Sequence, residues 1–181
     1  MRKIILPHDP DFAFDAMIEP TATATWVQFV KKGEEHSRHF LDEEIESFLV
    51  FTLMRFEQRT DLLALTLALE YLKASTEYTG QRKEQALTDV GDTSLIFAGL
   101  FPERSHRLNV PASYFSQMGR MAFTDLANLF ALKKLRGLEG LYRNAEKSFS
   151  VMTEVLLSAR ENKYGNNFIE HLAKKKGFLT L

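Results

Sequence analysis

The densest group of side chains able to do chemistry lies in GLFPERSHRLNVPASYFSQMGR, residues 99–120, where Glu103, Arg104, His106, Arg107, Tyr114 and Arg120 are gathered around Pro102 and Pro111. Three arginines beside a histidine and a tyrosine suit an anion pocket. Guanidinium groups give charge-assisted, often bidentate hydrogen bonds to phosphate or carboxylate, and the free N–H groups of a helix start add to the attraction. The chemistry expected of such a pocket is binding or hydrolysis of an anionic small molecule. The competing expectation is a structural joint between two helices, with Glu103 and Arg104 capping helix ends and Arg120 paired with Asp92 or Glu103. Tyr114 and Arg120 are separated by less than two helical turns and point in different directions, which favours the joint.

Other constellations are weaker. His36 and His39 in EEHSRH, with Glu35 four residues before His39, have the spacing of metal ligands on one helical face but lack a third ligand. His8, Asp9 and Asp11 in PHDPD are explained by turn propensity. Di-iron carboxylate bundles need two Glu-x-x-His pairs, and the chain does not hold two. Glycine-rich phosphate loops, Gly-x-Ser-x-Gly and His-Glu-x-x-His are all missing. Helical ribonucleases of the HEPN type place a histidine four to six residues after an arginine; Arg2 and His8 have that spacing in a proline-broken terminus, and His106 follows Arg104 too closely. His106 or His171 with a methionine would suit haem, but a lone histidine among scattered methionines is more often plain structure. With no cysteine, disulfides, thiolate metal sites and a cysteine nucleophile are excluded. The expectation is a chain with no catalytic motif, no metal and no cofactor.

The elements that must position these residues read as helices. The chain has 181 residues, 45% apolar and 26% charged, which fits one globular domain. Its five prolines leave residues 21–101 and 112–181 uninterrupted. In LDEEIESFLVFTLMRFEQR, Ile45, Phe48, Leu49, Thr52, Leu53 and Phe56 follow helical periodicity behind three acidic residues suited to a helix N-terminus. Val50, Phe51 and Met54 are apolar off that stripe, so this helix should be contacted on more than one side. TDLLALTLALEYLKA is apolar nearly all round and reads as the central buried helix, with Leu65 and Leu69 in the core. Leu87, Val90, Ser94, Phe97 and Phe101 mark a third helix, in which Gly91 and Gly99 allow a neighbour to approach closely. A fourth carries Phe115, Met118, Ala122, Leu126 and Leu129, with Pro111 in its first turn. RGLEGLYRNAEKSFSVMTEVLLSAREN reads as one long helix stopped by Gly165, and NNFIEHLAKKKG as a last short one capped by Asn166 or Asn167 and ended at Gly177. The first forty residues are the least regular; TATATWVQFV fits a strand or a short helix.

The segment VGDTSLIFAGLFPERSHRLNVPASYFSQMGRMAF resembles a family of bacterial all-helical proteins with no assigned activity. The shared pattern is Gly-Asp, an apolar helix, Gly-Leu-Phe-Pro-Glu-Arg, then Tyr-Phe and Met-Gly-Arg. The resemblance covers about residues 43–130 and implies one bacterial all-α domain, with no chemistry attached.

Charge is uneven along the chain. Residues 131–181 hold 10 of the 23 Lys and Arg but 5 of the 24 Asp and Glu. Spread as they are, these charges suit solvated helix faces better than a nucleic-acid surface. No apolar stretch is long enough to span a membrane, and the apolar run at the N-terminus is broken at Pro7, too early for a secretion signal. The combined expectation is a single-domain all-α bundle of five to seven helices over residues 1–181, with an irregular segment over residues 1–40. Its expected role is that of a bacterial cytoplasmic regulator or adaptor, non-enzymatic, whose partner is another protein or a second copy of the chain. The alternative is anion binding or hydrolysis at the Arg104–Arg120 corner. An exposed apolar patch without a deep cavity would favour the first, and a concave pocket with converging arginines the second.

Overall fold

The computed structural model describes residues 21–161 and 163–175, which form nine α-helices, one short 3₁₀ helix and no strand. The helices are α1 (Ala22–Ser37), α2 (Glu43–Gln58), α3 (Leu67–Thr76), α4 (Gly80–Leu100), α5 (Arg104–Arg107), α6 (Tyr114–Leu132), α7 (Arg136–Lys147), α8 (Phe149–Glu161) and α9 (Lys163–Lys175). The all-α expectation holds, but five to seven helices is too few, for reasons that are local.

Residues 22–37 of the supposedly irregular segment form a four-turn helix. The Thr21 hydroxyl accepts from Ala24 N at 3.2 Å and opens it, and Arg38 in the left-handed region, φ 59°, closes it. Its threonines and valines disfavour helix intrinsically, yet Trp26, Phe29, Val30 and Gly33 are buried along one stripe. Gly33 lies so close to Val155 and Ala159 of α8 that an added Cβ would overlap the Val155 carbonyl oxygen. Packing overrides propensity here. The α2 helix is capped as its sequence suggests: the Asp42 carboxylate accepts from Ile45 N at 2.9 Å, with Glu43, Glu44 and Glu46 in the first turn.

The central helix is α4, not the leucine-rich segment before it. That segment breaks into a 3₁₀ turn, Thr60–Ala64, and α3, where Leu69 is 48% and Leu72 56% exposed and Leu65 sits half-buried at the edge of the core. A run that is apolar all round states no face, so it cannot show how much of itself is buried. From Ala86 to Leu100, by contrast, only Thr88 and Ala98 of α4 escape full burial. Its glycines explain this: Gly91 meets the Phe123 ring of α6 and Gly99 meets Leu156 of α8, each too closely for a Cβ. Small residues let two helices approach a third across its whole length.

The expected long helix after Arg136 divides at Ser148, giving antiparallel contact of α7 with α6 while α8 returns to α1 and α4. Gly165 does not stop a helix; it lies inside α9, against the Ala159 carbonyl, where any side chain would overlap. Asn166 donates to Glu170 at 2.9 Å rather than capping. Gly177 lies outside the described residues. No helix among them is long and apolar enough to cross a membrane.

Candidate functional site

The corner between α4 and α6 closes on its own backbone. Ser105 Oγ donates to the Pro102 carbonyl at 2.9 Å, Val110 N to Ser105 O at 3.0 Å, and Asn109 takes the left-handed conformation, φ 53°. Pro111 precedes α6 rather than lying in it, and its carbonyl accepts from Tyr114 N at 2.9 Å. Of the six corner residues, Glu103 accepts from Arg160 Nη1 at 3.0 Å, while the same guanidinium donates to Leu100 O and so closes the end of α4. Arg104 turns inward: Nη2 donates to Leu63 O at 2.8 Å, and the guanidinium lies over the Phe97 ring, 4.5 Å from its centroid. Burial, then the charge of Arg107, lowers the Arg104 pKa. His106 and Arg107 are exposed, and half-buried Tyr114 packs edge-on against Phe115. Arg120 donates to Glu146 of α7 at 2.8 Å, not to Asp92 or Glu103. The helix-end cap expected from Glu103 and Arg104 is thus supplied by Arg160, and Arg104 and Arg120 are directed to separate protein acceptors.

The metal candidates also come apart. His36 lies in the last turn of α1 with its Nδ1–H on Lys32 O at 2.7 Å, whereas His39, beyond the left-handed Arg38, places Nε2 3.0 Å from Glu154 Oε2. No group of three His, Asp or Glu able to hold a metal occurs among the described residues. Glu103 and His106 do have Glu-x-x-His spacing, but Glu103 is committed to Arg160. His8, Asp9, Asp11 and Arg2 lie outside the described residues.

A cavity of about 460 Å³ opens elsewhere, between α2, α4 and the start of α7. Along α2 it is lined by Glu44, Phe48, Phe51 and Arg55, at intervals of four, three and four residues, hence on one face. Thr88 and Asp92 line it one turn apart on α4, and Gly137, Leu141 and Tyr142 complete it from α7. Tyr142 is fixed by aromatic neighbours, stacked on Phe130 at 5.6 Å and edge-on to Phe48 at 5.9 Å. Burial, with Asp92 adding to it, raises its phenol pKa, against the opposing influence of Thr88 and Arg55. Asn144 Nδ2 donates to Glu44 at 3.0 Å and ties α7 to α2 at the rim.

Charge meets the cavity at its inner wall. Arg55 donates through Nη1 to Asp92 and through Nη2 to Asp89. Gln85 also donates to Asp89, at 2.9 Å, and Arg59 reaches Asp89 at 3.4 Å while holding Asp61 with Nε at 2.8 Å. Two arginines therefore serve three aspartates. The second oxygen of Asp92, Oδ1, is buried and hydrogen-bonds to no described residue. Burial pushes the Asp92 pKa up to about 6, against the charge and hydrogen bond of Arg55, with Asp89 adding to the rise. A perturbed carboxylate, a confined tyrosine and apolar walls together make this cavity a candidate ligand site among the described residues.

Sequence reasoning passed over this site because its parts come from residues 44–55, 88–92 and 137–142, brought together only by the fold. One signal was present: Phe51, apolar but off the main stripe of α2, belongs to the face that lines the cavity. Comparison of the chain with protein-family models, curated proteins and solved structures gives no match to any of them.

Proposed function

We propose that this protein is a ligand-binding domain whose cavity between α2, α4 and α7 takes a small, largely apolar molecule. One observation carries the reading: a cavity of ligand size is walled by Phe48, Phe51, Leu141 and Tyr142 and lined at its inner end by the ion pair Arg55–Asp92. The role fits a non-enzymatic regulator better than a catalyst, since Arg55 and Asp92 are engaged with each other rather than poised beside a nucleophile. Arg104 and Arg120, each bonded to a protein acceptor, favour this cavity over the corner as the binding site.

An interaction role is supported by a separate observation. Leu132, Leu135 and Leu138 are exposed beside Lys133 and Lys134, at the turn that carries α7 over the cavity. A ligand that moves α7 would alter this surface and its contacts with a partner protein.

Gly137 supplies the test, because it lines the cavity and a Cβ added there meets no atom within 4 Å, so a large side chain can be introduced at this wall. Calorimetric titration with naphthylmethanol should show saturable binding to the wild type and none to Gly137→Trp, with the variant melting no lower. Absence of binding to the wild type, or equal binding to the variant, would overturn the reading.

A further inference from the structure

Residues 132–138 are all exposed where α6 turns into α7, and Leu132, Leu135 and Leu138 are among them. Leu132 is 83% exposed, the most open large apolar side chain among the described residues. The N–H groups of the turn are already satisfied: Lys133 N donates to Leu129 O at 3.1 Å, Lys134 N to Ala131 O at 3.0 Å and Leu135 N to Phe130 O at 2.9 Å. They lose nothing on leaving water. Lys134 closes this pattern at φ 60°, a left-handed position that glycine fills without strain, so a lysine there keeps a charge at the tip at some cost in stability.

The charge around the leucines is positive. Glu84 is taken by Lys133 and Glu139 by Arg143, while Lys134 and Arg136 are exposed and ion-pair with no described residue. No side chain caps the start of α7, which leaves its first N–H groups to an outside acceptor. Two copies meeting at this turn would bring like charges together, and a protein partner would need a socket shaped for a leucine tip. An anionic lipid surface needs neither correction: leucines enter its interface while lysine and arginine stay at the headgroups.

Going beyond the cavity reading, we infer that the α6–α7 turn also docks on an anionic lipid surface, with Leu132, Leu135 and Leu138 in the interface and Lys134 and Arg136 on the headgroup phosphates. Gly137, at the cavity wall, lies between two of these leucines, so docking brings that wall beside the phase in which apolar molecules concentrate.

Co-sedimentation with vesicles tests this, using phosphatidylcholine alone and phosphatidylcholine mixed with phosphatidylserine. The wild type should bind the mixed vesicles at least about tenfold more tightly than the neutral ones. Leu132→Ser should weaken that binding about tenfold, and Lys134→Gly about fivefold. Lys134→Gly should melt no lower than the wild type, since glycine suits the left-handed position, so its weaker binding cannot come from misfolding. Failure of the wild type to bind mixed vesicles, equal binding to both kinds, or unchanged binding by either variant overturns the inference; the first of these leaves the turn to a protein partner. The naphthylmethanol titration uses no vesicles, so the cavity reading stands or falls separately.

Discussion

The two sides of α4 solve different packing problems. On the side facing α6 and α8, Gly91 and Gly99 admit Phe123 and Leu156 so closely that a single methyl group has no room. On the side facing α2 and α7, Gly137 and Gly140 of α7 leave their surroundings open, and a cavity of about 460 Å³ lies between the helices. The sealed side is held by shape, whereas the open side is held by charge, the Arg55–Asp89–Asp92 network, and by the aromatic seat of Tyr142. The contrast sets a side packed without room for a methyl group against a side that leaves room for a ligand-sized molecule.

The largest effect should come from removing a ring on the sealed side. Phe123 is fully buried there, and Phe123→Ala should cost about 3–5 kcal/mol in urea unfolding. Phe51, 64% exposed at the cavity, should cost less than about 1 kcal/mol when truncated. Comparable losses would erase the contrast.

The next effect is electrostatic and depends on pH. Native Asp92 keeps its proton up to about pH 6, while the unfolded chain releases it near the ordinary value of 3.8. Between these values the native state holds more protons than the unfolded one, so this group's contribution to stability falls as pH rises and stays lost above the native pKa. Asp92→Asn lacks that loss. From about pH 4 to about pH 7 its stability should therefore gain on the wild type by on the order of 2–3 kcal/mol. Asp61, held below the usual carboxylate range chiefly by its hydrogen bond from Arg59, titrates in the opposite sense but cancels from the difference. A pH-independent difference between the two proteins would show that the open side is not electrostatically strained.

The smallest pair sharpens the comparison most. Gly91→Ala should lose about 1–3 kcal/mol through overlap with the Phe123 ring. Gly137→Ala should gain about 0.5–1 kcal/mol, because an open helical position benefits from losing glycine's backbone freedom. Thermal or urea melts read both, and an equal sign for the two would mean that the sides pack alike.

How far this contrast was legible from sequence differs between its halves. The sealed side was readable: Leu87, Val90, Ser94, Phe97 and Phe101 follow helical spacing, and Gly91 and Gly99 in such a stripe signal close approach. Hydrophobicity alone misled at TDLLALTLALEYLKA, where uniform apolarity concealed a 3₁₀ turn and an exposed face at Leu69 and Leu72. It also left the segment of α1 open between a strand and a short helix; its threonine-rich start becomes helical through packing against α8 and α9 by Gly33 and Trp26. The cavity was not readable, since Arg55 lies 34 and 37 residues from the aspartates it bridges and no local pattern records that pairing. The arginine-rich corner drew notice because its charges are adjacent in sequence, yet they separate in space.

A nitrogen-15 NMR titration of the wild type with naphthylmethanol tests most directly whether the cavity, and not the corner, is where this protein binds. The account predicts saturable shift changes concentrated at Phe51, Thr88, Asp92, Gly137 and Tyr142, with residues 102–114 unmoved. Shift changes centred on Arg104 and His106, with the cavity residues silent, would contradict it.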